Sequence, residues 1–260
     1  MKPDTDDSWL ERFGDWINPI LVKETRQALK SRQFSVTFGL LLVASLLVSL
    51  GGVALAGPEL DYRSAGMGFF LAYFVVLAFA VFVVVPFGAY RSLSTEHEER
   101  TFELLSISAL QPRQIIAGKL LSAIIQMFLY FSATAPYMGF TLLLKGIDVP
   151  SILLVLFASV LASIGFSMIS LLLAALARRR GWQVFLSVAI ITALLFATVV
   201  SFFLVASALM FMGPVMREPL FWTLLATLLT IYVTYFALAF QLSAAQLTFD
   251  ADNRSSKVRA

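Results

Sequence analysis

Cutting the chain at every Asp, Glu, Lys and Arg leaves six long uncharged stretches, at residues 33–58, 64–90, 120–144, 149–177, 181–216 and 219–249. Each exceeds the roughly 20 residues that a helix needs to cross about 30 Å of hydrocarbon. The core of a soluble helix or of a signal peptide is usually shorter. A composition of 59% hydrophobic and 13% charged residues also lies outside the soluble balance of about one quarter charged. The sequence therefore reads as an all-α integral membrane protein with six transmembrane helices.

The distribution of cations sets the orientation. All but three of the 19 Lys and Arg residues fall before the first span, between spans two and three, between spans four and five, or after span six. Only Arg63, Lys145 and Arg217 lie on the other side. The positive-inside rule then puts both termini in the cytoplasm of a multi-pass plasma membrane, most naturally a bacterial inner membrane. The net charge of +3 follows from this topology and from contact with anionic headgroups, and needs no nucleic-acid partner. Asp4, Asp6, Asp7, Glu11 and Asp15 make the first 32 residues too acidic for a signal peptide, so the first span is expected to stay as an anchor.

Three regions follow: a cytoplasmic tail and interfacial helix at 1–33, a six-span domain at 34–249, and a cytoplasmic tail at 250–260. Around Lys23, Glu24 and Arg26 the stretch 17–34 alternates apolar and basic positions, with Asn18-Pro19 as cap and first turn. Such a helix lies along the inner membrane surface, as an anchor or as a docking face for a cytoplasmic partner. The fifth stretch, 36 residues from 181 to 216, is long for one span, and Phe211-Met212-Gly213-Pro214 predicts a break with a short interfacial piece beyond it. The largest internal connection, 91–119, carries Phe102, Leu104, Leu105, Ile107 and Leu110 as one or two short helices before Gln111-Pro112.

Several chemistries are missing. The six stretches hold no ionisable side chain except tyrosine, whereas ion-coupled carriers commonly keep carboxylates or cations near the midplane. There is no GxxxxGK[ST] phosphate loop, so ATP cannot be bound that way by this chain. Without cysteine there is no disulfide, thiolate metal site or thiol nucleophile. His97, among Glu96, Glu98 and Glu99, lacks a spaced second His and reads as part of a solvated charged turn. No enzyme, metal or bound cofactor is expected in this chain.

Two spans carry hydroxyl residues at helical spacing. Ser159, Ser163, Ser167 and Ser170 share a face of span four, where close helix packing is the simplest account. Thr223, Thr227, Thr230, Thr234 and Gln241 share a face of span six, longer and more polar than packing requires. That second face is a candidate lining for a translocation path.

Two cytoplasmic stretches carry a family resemblance. Asn18, Pro19, Val22, Lys23, Glu24 and Arg26 form one; Glu99, Arg100, Thr101, Glu103, Leu104, Leu105, Pro112, Ile115, Gly118 and Lys119 form the other. Together with the six-span layout they resemble permease subunits of ABC-2 type ATP-binding cassette transporters, with a shortened spacing in the second stretch. The resemblance implies an exporter-like fold in which Glu99, Arg100, Thr101, Phe102, Glu103, Leu104 and Leu105 form a coupling helix. That helix would sit in a groove of a separate cytoplasmic ATPase, which holds the ATP and Mg, and the amphipathic helix would pack nearby. It also implies a second permease chain, identical or different.

The runner-up is a non-transporting membrane scaffold that recruits a cytoplasmic protein through the same two stretches. A secondary carrier is a third reading. The charge-free interior favours a lipid-like, hydrophobic or amphiphilic cargo over a small ion.

Overall fold

The computed structural model describes residues 19–56, 65–98, 112–144, 146–177 and 180–247. The helices are α1 (Pro19–Lys30), α2 (Arg32–Ala56), α3 (Gly66–Ala78), α4 (Val85–Glu98), α5 (Pro112–Leu143), α6 (Val149–Leu176), α7 (Arg180–Val215) and α8 (Pro219–Gln246), with a π turn at Phe79–Val84 joining α3 to α4. Six of the resulting rods are long and apolar enough to cross a membrane: α2, α3 with α4, α5, α6, α7 and α8. Each coincides with one of the uncharged stretches, because length and the lack of charge are the two properties a span requires.

The ends of these elements sharpen the sequence reading in two places and overturn it in one. The amphipathic stretch does not run unbroken into the first span. The Ser31 hydroxyl accepts from the Phe34 N–H at 3.1 Å and donates to the Ala28 carbonyl at 2.7 Å, so it caps α2 while closing α1. The connection at 91–119 is mostly helix at its two ends, since α4 continues to Glu98 and α5 starts at Pro112. The break expected at Phe211–Pro214 does not occur: α7 stays helical for 36 residues to Val215. The Gly213-Pro214 pair falls in the last turn, so proline removes one bond at the end of the ladder and the helix stops one residue later. The chain then reverses through a turn at 216–218, and Pro219 opens α8.

The π turn has an identifiable cause. The Val85 N–H bonds the Ala80 carbonyl, five residues back. In that register the next donor would serve Val81, but the next residue is Pro86, which has no N–H. The orphan Val81 carbonyl accepts instead from Ser163 of α6, at 2.7 Å. One proline on α3–α4 and one serine on α6 thus answer each other across the core.

The core is built from α3, α4, α5 and α6, with Phe70, Tyr73, Phe74, Leu77, Tyr130 and Leu171 all fully buried. Burial falls away from there. In the most apolar window of α3–α4 67% of residues are buried, in α2 and α7 11%, and in α8 none. Helix α8 is held to α6 through Tyr232, whose hydroxyl donates to the Leu161 carbonyl at 2.8 Å. Its ring lies over Gly165, where even a Cβ atom would come within 3.1 Å.

A polar junction as the candidate functional site

At the end of the bundle where α1, α4 and α5 meet, Lys119 of α5 and Glu24 of α1 form an ion pair at 2.9 Å, with side-chain exposures of 1% and 10%. The same ammonium donates to the Ser92 carbonyl of α4 at 3.2 Å. Three helices therefore converge on one buried charge. Lys119 lies about two helical turns inside the start of α5, and Ser92 about two turns inside the end of α4. A buried pair of this kind contributes little net stability, yet removing one partner leaves a costly isolated charge, so the pair fixes where the helices meet.

From Lys119 a polar row enters the core along one face of α5. Ser122, Gln126 and Tyr130 follow at helical spacing, all buried, and the Gln126 amide donates to the Tyr130 hydroxyl at 3.4 Å. Opposite, α4 presents Gly88, Arg91, Ser92 and Thr95, and α1 presents Lys23, Glu24 and Gln27. Between them lies a half-open cavity of about 580 Å³.

Of the expected interfacial residues, Glu24 points inward to Lys119, while Lys23 and Arg26 are exposed. No local pattern marks the pairing, because its partners are 95 residues apart. The expected coupling residues Glu99, Arg100, Thr101, Phe102, Glu103, Leu104 and Leu105 lie outside the described residues. So do the side chains of Glu96, His97 and Glu98. Both helices that flank that segment, α4 and α5, are anchored at the junction. Among the described residues no group of three His, Cys, Asp or Glu side chains could hold a metal ion.

The two hydroxyl rows have opposite fates. On α6, Ser159, Ser163, Ser167 and Ser170 are all buried, as close packing requires. On α8, Thr223, Thr227, Thr230, Thr234 and Gln241 share one face, and all are exposed. The four threonine hydroxyls bond carbonyls of their own helix, at Leu220, Thr223, Ala226 and Thr230. This face points away from the α6 contact made by Tyr232.

No model of a known family matches the chain, and no curated protein matches it either. Fold and site define the class: a multi-pass membrane protein, helical throughout its described core, with a charged junction and a polar cavity at one end of the bundle.

Proposed function

We propose that this chain is the permease half of an ABC transporter of the exporter kind, moving its substrate with ATP hydrolysed by a separate ATPase subunit. The observation that carries the proposal is the Glu24–Lys119–Ser92 junction. Residues 99–111 join α4 to α5, and both helices meet α1 at one buried ion pair. A load applied to that segment by a partner would move three helices together instead of bending one loop. The absence of a phosphate loop in the sequence, the uncharged spans and the resemblance of the two cytoplasmic stretches support the same reading. In it the ATPase binds ATP and Mg, a second permease chain completes the transporter, and both termini lie in the cytoplasm of a bacterial inner membrane.

The test is co-purification of the full chain with an ATPase encoded nearby, followed by ATPase assay in lipid. Stable capture with lipid-dependent turnover supports the reading. Transport by the isolated chain on an ion gradient alone would overturn it in favour of a secondary carrier.

One observation favours a second reading, a membrane scaffold without transport. The α8 threonine row is exposed, and its hydroxyls are satisfied by carbonyls of their own helix. Cysteine-accessibility mapping separates the two readings cleanly, because the chain has no cysteine of its own. A face that changes its water access with nucleotide belongs to a transporter; one sealed in every state belongs to a scaffold.

A further inference from the structure

We infer that the cavity between α1, α4 and α5 binds the phosphate group of an anionic amphiphile, with the acyl chain lying along α2. The inference needs only the cavity and stands whether or not the chain partners an ATPase.

The chemistry of the lining is one-sided. Glu24, the one carboxylate among its described lining residues, is engaged by Lys119, while Lys23 and Arg91 also line the cavity and make no ion pair among the described residues. A phosphate would thus meet the exposed Lys23, Arg91 and Gln27 at the rim and the buried Ser122 hydroxyl further in. The volume of about 580 Å³ lies in the range of small-molecule sites. Gly88 keeps the space open: a Cβ added there would meet nothing nearer than the Gln126 Oε1 at 4.0 Å.

A lipid is favoured over free phosphate by what adjoins the cavity. Gln33, in its lining, belongs to the first turn of α2. On the same helical face, Val36, Leu40 and Leu47 follow, with exposures of 59%, 63% and 63%. The cavity therefore opens onto an apolar track that runs down a membrane-spanning helix. It lies about two turns inside the helix ends, a depth suited to a headgroup with its chains pointing into the hydrocarbon.

The test uses the full chain in a neutral detergent, titrated with short-chain phosphatidic acid, short-chain phosphatidylcholine and inorganic phosphate, and read by native mass spectrometry and calorimetry. One equivalent of phosphatidic acid is expected to bind more tightly than either of the others. Lys23→Gln with Arg91→Gln should weaken it about tenfold or more, since two charge-assisted contacts are removed. Gly88→Leu should occlude the cavity and abolish binding, with Glu24–Lys119 left intact. Phosphatidylcholine binding as tightly as phosphatidic acid would overturn the anionic assignment, and inorganic phosphate doing so would overturn the amphiphile. Phosphatidic acid bound unchanged by the double variant would remove the site from this cavity, even if Gly88→Leu proved too unstable to measure.

Discussion

The serine row of α6 and the threonine row of α8 look alike on paper, each a run of hydroxyl residues on one helical face, yet they occupy opposite environments. Ser163 is fully buried and reaches across to a carbonyl that Pro86 cannot serve. Thr230 and Thr234 are exposed and return their protons to their own helix. The lesson is that periodicity fixes which residues share a face, while the partner of that face is decided by a distant element. Ser159 and Ser167 also return their protons to their own helix and are buried all the same, so the rows differ in burial and in the one bond that Ser163 makes to another element.

The contrast can be broken at its strongest point first. Lys119→Met leaves Glu24 buried and unpaired, and a loss of about 3–5 kcal/mol is expected, read as a lowered unfolding temperature in nanodiscs. Combining it with Glu24→Gln should recover most of the loss. A double variant no better than the single one would mean that the pair does not organise the junction.

Ser163→Ala comes next. It strands the Val81 carbonyl, and the expected cost is about 1–2 kcal/mol by the same melt. A neutral result would show that the π turn satisfies itself. Thr230→Val is the outer counterpart, and because its hydroxyl serves only its own helix the isolated chain should change by no more than about 0.5 kcal/mol. If it destabilised the single chain as much as Ser163→Ala, the distinction between the rows would collapse.

Much of the fold was legible in the residues. Uncharged length marked all six spans, and the helix read around Lys23, Glu24 and Arg26 is there as α1. The over-reading at Phe211–Pro214 came from weighing Gly and Pro as breakers without knowing that they close the helix. The junction was only half legible. Glu24 is the single acid in the basic stretch before α2, and Lys119, Ser122, Gln126 and Tyr130 recur at helical spacing, but nothing local ties the two together. Pro86 was visible too, although its answer in Ser163 lies in another span.

The central claim, that motion enters through residues 99–111, is tested most directly by Leu104→Asp with Leu105→Asp in the full chain, scored by capture of the ATPase. In an apolar groove two unpaired carboxylates cost several kcal/mol, while on a solvated surface they are close to neutral. The account predicts loss of the ATPase with the chain still inserted and its melt unchanged, and only a mild effect of Glu103→Ala, about 0–1 kcal/mol for a hydrated ion pair. Retention of the ATPase with substrate-stimulated turnover would contradict it and move the contact to residues 17–32.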